Sequence, residues 1–401
     1  MSIPQESTGP ASNAPGFLTV LSWFPESGLG GVNQAVLNLI RVMKADGRWR
    51  PSFLVSTDSA LVEPATHLPC PVFSLYLRAP DVPPGKTGRT LLAFLVHLPV
   101  ALAKLRRLLR TNGIRIVNCV FPDTECVHFV LLRRLGLFNG KVVLTFQGID
   151  SKNLGDRRGI GRWFARWMLR SADVVVACSL GLLEEILTFE PRCAGHATVI
   201  YNAVDKQDFL DRTEWTYQLP EPLRERPFLL NVARYEHKKG QDILIRAFEQ
   251  IAGRFPDLML VLIGASSGPE SDISRKLVAQ SPAGDRILRL ENVPHERIAV
   301  FMQSARLFVL ASRREGFPFV ILEAGALGVP VVASACIGVP EVITDGETGR
   351  LAPVEDANGL ARIIEDVLMD EEKRKRMGEN LRRLVTEEFS WKASYEKYIA
   401  L

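Results

Sequence analysis

Short apolar runs alternate with longer amphipathic stretches along almost the whole chain. Phe17–Phe24 reads as a first strand. Val32, Ala35, Val36, Leu39, Ile40 and Met43 then recur at the 3.6-residue spacing of one helix face. Apolar runs at Ile114–Val120, Val142–Phe146 and Val174–Ala177 are each followed by a helical pattern. Between Asp205 and Pro227 the alternation loosens, and Pro220, Pro222, Pro227 and many charges predict a hinge. It restarts with a strand at Phe228–Ala233, a helix at Gln241–Arg254 and a strand at Leu258–Ile263. Further strands are expected at Arg286–Leu290, Leu307–Leu310 and Val331–Ala333, followed by polar helices from Asp356 to Leu401. Strands alternating with helices predict an α/β fold of parallel sheets covered on both faces. The hinge divides it into an N-terminal domain over 16–210 and a C-terminal domain over 211–388. Residues 1–15, crowded with Ser, Pro, Gly and Asn, are expected to be disordered.

Composition narrows this picture. With 401 residues the chain is too long for one ordinary core, and 47% hydrophobic with 23% charged residues is the range of a globular protein. The formal net charge of +4 suits a phosphate-bearing partner, but without like-charge blocks or interleaved basic and aromatic residues it gives no support for nucleic acid. Six cysteines form no CxxC pair, and no secretory leader pattern opens the chain, so reduced thiols in the cytoplasm are expected. Leu91–Ala103 is the longest apolar run, too short for the roughly 20 residues a bilayer span needs. Lys104, Arg106, Arg107 and Arg110 follow it. Two readings stand for that segment: a buried helix with a solvated basic end, or a helix lying on an anionic membrane surface.

In open parallel sheets ligands bind beyond the carboxyl ends of strands, and the unusual residues fall there. Gly28, Gly30 and Gly31 lie between the first strand and the first helix, where a backbone without side chains and a helix N-terminus suit a diphosphate. The GxGxxG fingerprint of a dinucleotide site is absent. Arg234 and Lys239 follow a strand and precede a helix, as fixed cations that stabilise a departing diphosphate. In Glu315-Gly316-Phe317-Pro318-Phe319-Val320-Ile321-Leu322-Glu323, Pro318 suits a first helical turn and Glu323 falls among apolar neighbours. A carboxylate so placed needs partners, and sugar hydroxyls would serve. No Asp-x-Asp triplet or metal-ligand cluster is present.

Glu-Gly-Phe-x5-Glu preceded by Arg-x4-Lys-Gly resembles glycosyltransferase family 4, retaining enzymes of the GT-B fold. The resemblance runs from about residue 17 to 399 and includes Val199–Asp205, Gly338–Ile343 and Phe389-Ser390-Trp391. It implies two Rossmann-like α/β/α domains facing a central cleft, with residues 389–401 a helix crossing back to the first domain. It also implies that Glu323 holds the donor ribose, Arg234 and Lys239 the diphosphate, and Glu315 the sugar near the reacting carbon, with Gly316, Phe317 and Pro318 around it. Gly30 and Gly31 would approach the phosphate or sugar, and the backbone at Asn292 and Val293 the base. One departure matters. Gln147-Gly148 stands where His-Gly is frequent, and an amide can contact sugar or acceptor but cannot take up a proton.

The expected activity is transfer of a sugar from a UDP- or GDP-sugar to a glycan or lipid-linked acceptor in cell-surface polysaccharide or glycolipid synthesis. Retention follows from the resemblance. No metal or cofactor is expected, and the departing phosphate oxygen would take the acceptor proton on the front face. A nucleotide-sugar epimerase on the same fold and a non-catalytic nucleotide-sugar-binding module are the competing readings.

Overall fold

A computed structural model describes residues 14–21, 31–55, 68–80, 87–204, 206–211, 213–265 and 270–401. Residues 1–13, expected to be disordered, and Gly30 lie outside them. The chain divides into two compact units. Unit 1 holds Met1–Phe146, Asn153–Val176 and Leu187–Thr198, and unit 2 holds Gln147–Lys152, Ala177–Ile186 and Val199–Leu401.

The first half of the chain runs β1 (Gly16–Leu21), α1 (Gly31–Asp46), β2 (Arg50–Val55), β3 (Val72–Ser74), α2 (Thr87–Thr111) and β4 (Ile114–Val120). It continues with α3 (Val127–Arg134), β5 (Lys141–Phe146), α4 (Ile149–Asp156), α5 (Gly159–Ser171), β6 (Val174–Ala177), α6 (Leu180–Phe189) and β7 (Ala197–Val199). The sheet order is β3-β2-β1-β4-β5-β6-β7. Strand β1 pairs parallel with both β2 and β4, and β4 with β5. Leu91–Ala103 lies inside α2, which buries Phe94, Ala101, Leu105 and Leu109 and leaves its opposite face to solvent. Among the described residues no helix is long and apolar enough to cross a membrane.

The stretch read as a loosened hinge contains two short helices, α7 (Lys206–Asp211) and α8 (Glu221–Glu225). Pro222 is absorbed in the first turn of α8, where a missing N–H does no harm. The second half runs β8 (Phe228–Val232), α9 (Gln241–Ile251), β9 (Met259–Gly264), α10 (Glu270–Gln280), β10 (Ile287–Glu291), α11 (His295–Ser304) and β11 (Leu307–Leu310). Then come α12 (Phe319–Ala326), β12 (Val331–Ser334), β13 (Arg350–Ala352), α13 (Ala357–Met369), α14 (Glu371–Glu388) and α15 (Trp391–Ala400). Asp356, Asp370 and Ser390 each accept a backbone N–H at the start of the last three helices, satisfying donors that have no intrahelical partner.

The second sheet has the order β10-β9-β8-β11-β12-β13, and all five pairings are parallel. Its strands read as continuous apolar runs because helices cover both faces. Leu244 and Phe248 from α9 pack with Leu260 and Leu262 from β9 and Leu307 from β11 in one buried cluster, each contributing roughly 1.5–3 kcal/mol through burial. The strand order reverses between β8 and β11, so connections leave these neighbours toward opposite sides. Just beyond their carboxyl ends lies the topological switch point, where such sheets bind ligands.

Tyr235 fixes this edge. Its buried hydroxyl lies 2.9 Å from the Leu262 carbonyl and 2.8 Å from that of Leu290, joining the ends of β9 and β10. The Arg289 guanidinium stacks 3.7 Å from its ring centroid. Burial, ahead of the opposing Arg289 charge, pushes the phenol well above its ordinary value, so it stays a donor. Tyr235→Phe should lower stability by about 1–2 kcal/mol, read as a reduced urea midpoint with unchanged m-value.

Candidate functional site

Of the loops that leave the carboxyl edge of the second sheet, those after β8, β10 and β11 carry the residues expected from the sequence. The loop after β8 carries Arg234 to Gly240 and ends with Gly240 in the left-handed conformation, φ 65°. A Cβ on Gly240 would lie 1.9 Å from the Ala311 carbonyl oxygen, so only glycine lets this loop press against the end of β11. Lys239 is thereby delivered to the β11 loop, where Nζ donates to both oxygens of Glu315 at 2.8 Å. Ser312 Oγ donates to Glu315 Oε1 at 2.6 Å. Lys239 and Glu315, two sequence-expected site residues 76 apart in sequence, are thus joined directly.

Arg313 ties the same two loops together from the side. Its guanidinium donates to both Asp242 oxygens at 2.8 Å and to the His237 carbonyl at 2.6 Å, while its backbone N–H reaches the Lys238 carbonyl at 2.8 Å. Burial pushes the Asp242 carboxyl up, but the hydrogen bonds and charge of Arg313 outweigh it and hold the group below the usual carboxylate range. Arg234 is engaged by Glu236 at 2.8 Å, and Lys238 bonds the other oxygen of Glu236 at 3.0 Å. Burial draws the Lys238 ammonium down against the opposing pull of Glu236. Both basic side chains that the sequence placed over this edge therefore have carboxylate partners.

Gly316 sits between two backbones. A Cβ there would lie 2.2 Å from the Gln147 carbonyl oxygen, and a Cβ on Gly338, φ 79°, would lie 2.2 Å from the Gly316 carbonyl oxygen. Phe317 packs beneath the loop, its ring centroid 5.1 Å from Tyr201 and 5.4 Å from Phe389. Pro318, expected in the first helical turn, stands at the N-cap of α12, one position before that turn begins. Gln147 Oε1 accepts from Asn202 Nδ2 at 2.7 Å. The Asp150 carboxylate accepts the successive N–H groups of Gln147 and Gly148 at 2.8 and 2.7 Å, which fixes that turn.

The third loop, after β10, holds Asn292 in the left-handed region, φ 54°, with its N–H on the Gly264 carbonyl at 3.0 Å. Val293 follows half-buried, and Pro294 caps α11. The next residue, His295, meets Glu323 through Nε2 at 3.1 Å from Oε1. A carboxylate only accepts, so the ring nitrogen donates. This is the partner that Glu323 needs inside the apolar face of α12. Gly31 opens α1 in unit 1. His295, Ser312, Arg313, Glu236 and Asn202 were not anticipated. Ser312 and Arg313 precede Glu315 directly after a strand, which is the signal that could have found them.

Residues 29–208 match Glycosyltransferase Family 4, and residues 213–384 match Glycosyl transferases group 1. N-acetyl-alpha-D-glucosaminyl L-malate synthase of Bacillus anthracis is 30% identical over 274 residues, covering 68% of this chain and 70% of that protein. Sucrose-phosphate synthase from Thermosynechococcus elongatus has a similar structure, with a TM-score of 0.73, 24% identity and coverage of 96% of this chain and 97% of the other. HepE from Anabaena, solved in complex with UDP and glucose, matches with a TM-score of 0.74, 18% identity and coverage of 96% and 98%. These structural likenesses establish the fold, two Rossmann-like units of the GT-B type.

The Arg313–Asp242 pair has a measurable pH signature. A carboxyl held below its unfolded value stabilises the protein above that value and loses its contribution as pH falls through the folded one. Asp242→Asn should therefore lower the urea midpoint at neutral pH and flatten its decline below about pH 4, compared with wild type across an acid series.

Proposed function

The chain belongs to glycosyltransferase family 4, and on that premise we propose that it is a retaining, metal-independent transferase. It moves a sugar from a UDP- or GDP-sugar to a glycan or lipid-linked acceptor in the cytoplasm, within polysaccharide or glycolipid synthesis. The observation that carries this reading is the Lys239–Glu315 pair at the β8/β11 switch point, with Arg234 on the same loop as Lys239.

Each group has a chemical task. As the bond between the anomeric carbon and the diphosphate breaks, negative charge grows on the leaving oxygen. Lys239 and Arg234 meet that charge with cations fixed before the reaction, which is the reason no divalent ion is needed. Lys239 lies against the Glu315 carboxylate, so donor binding re-partners the ammonium toward phosphate. Glu315 then faces sugar hydroxyls, which return the hydrogen bonds it gives up. Glu323, aimed by His295, accepts from the ribose hydroxyls, and the left-handed turn at Asn292 presents backbone groups of Asn292 and Val293 to the base. Gly316, Phe317 and Pro318 shape the sugar side, and Gly30 and Gly31 supply backbone N–H groups to the phosphate or sugar. Gln147 contacts sugar or acceptor without acting as a base. The departing phosphate oxygen accepts the proton from the acceptor hydroxyl on the face where the new bond forms, and the anomeric configuration is retained.

The solved relative HepE holds UDP and glucose, which supports a nucleotide-sugar donor here. Among the described residues no three His, Cys, Asp or Glu side chains gather as a metal site.

Replacing Lys239 or Arg234 by Ala should each lower kcat by about a hundredfold or more, roughly 3 kcal/mol of barrier, measured as nucleoside diphosphate release. Turnover near wild type in both variants would remove the assignment. A thermal-shift series across UDP-, GDP- and ADP-sugars should single out one base, because a ligand that binds only the folded state raises Tm. Activity should persist in excess EDTA, and loss of turnover that added Mg2+ restores would overturn metal independence.

A further inference from the structure

Unit 1 carries an exposed face that the transferase chemistry does not use. On α2, Leu92 is 63% exposed, Leu95 52%, Val96 66% and Val100 55%. They recur at the spacing of one helix face, opposite the buried Phe94, Ala101, Leu105 and Leu109. An isolated exposed leucine means little, but four large apolar residues within about 12 Å of helix form a stripe. Further along, the same exposed side turns basic, with Lys104, Arg106, Arg107 and Arg110 all solvent-exposed, and Arg89 lies before the stripe. Thr87–Thr111 contains no Asp or Glu. Among the described residues none of these five cations forms an ion pair.

The fold adds a residue that periodicity in α2 does not reveal. Trp163 on α5 is 55% exposed, and its ring lies 5.0 Å from Phe164. Phe164 in turn packs edge-on at 6.2 Å against Phe94 of α2. The aromatic chain thus links the indole to Phe94 on the buried side of α2, from a helix that is also free of acidic residues. The apolar stripe with its basic flanks is itself the pattern of a helix face that lies on an anionic bilayer surface.

We propose that the exposed face of α2 in unit 1 docks on an anionic membrane surface, with Leu92, Leu95, Val96 and Val100 entering the headgroup boundary. Arg106, Arg107 and Arg110 contact lipid phosphates. Charge decides between this occupant and a second copy of the chain. Self-association through α2 would bring five cations of each copy together with no acid on either helix, whereas anionic lipid supplies the missing countercharge. The inference uses none of the residues proposed to bind the donor.

Flotation of the full chain with phosphatidylcholine vesicles, with and without phosphatidylglycerol, tests it at low and high salt. Wild type should float with the anionic vesicles at low salt and be released by high salt. Arg106→Ser/Arg107→Ser/Arg110→Ser should weaken binding about a hundredfold, and Leu95→Gln/Val96→Gln about tenfold. Both sets change exposed positions, and an unaltered donor-induced thermal shift checks that each variant is folded and separates this result from the donor-site reading. No flotation at low salt would overturn the proposal. So would flotation insensitive to both variants, or a dimer in light scattering that Leu95→Gln/Val96→Gln converts to monomer.

Discussion

The close passage of Gly240 against the Ala311 carbonyl is the constraint on which the rest of the site depends. Two loops from neighbouring strands are brought nearer than any side chain allows, and the left-handed turn is available because glycine has no Cβ to oppose it. Lys239 and Glu315 meet because of that approach. Arg313 reinforces it with a two-pronged bond to Asp242, in which a planar guanidinium fixes orientation as well as distance. The site is therefore anchored on backbone, and its charged groups inherit their positions from the sheet.

A second tier of glycine contacts holds the outer wall. Gly316 is packed between the Gln147 carbonyl and the Gly338 backbone, and the aromatic rings of Tyr201, Phe317 and Phe389 fill the space below. The Glu341 carboxylate accepts the first N–H groups of α6 from Leu180 and Gly181 at 2.7 and 3.1 Å. Its charge sits at the positive end of the helix dipole. Burial first, and then this charge, pushes the Tyr201 phenol up to about 12.

Much of this arrangement was legible in the sequence, and the exceptions have physical reasons. Strands β4, β6 and β11 stand where their apolar runs lie, because buried parallel strands must be apolar on both sides. Strands β3 and β13 have three residues each, and β2 opens with Arg50, Pro51 and Ser52, so none presents a run long enough to read. Glu315, Lys239 and Glu323 stood out as charges next to strand ends or among apolar neighbours. His295 did not, since a histidine after a proline looks like any loop residue until α11 and α12 are folded side by side. Arg313 looked like one more basic residue beside Arg314, yet the first binds Asp242 and the second binds Glu185. The exposed stripe on α2 was ambiguous between burial and a surface role because an amphipathic helix has one face of each kind.

The neutral Lys239–Glu315 couple carries a consequence for selectivity. A simple anion that drew the ammonium away would leave a largely buried carboxylate without its counter-ion, a penalty that grows as water is excluded. On the proposed donor reading, a molecule bearing both a phosphate and hydroxyl donors satisfies the two partners in one event. That reading builds discrimination against free phosphate and bare nucleotide into the pair, as a debt of unmatched charge that an incomplete ligand leaves standing.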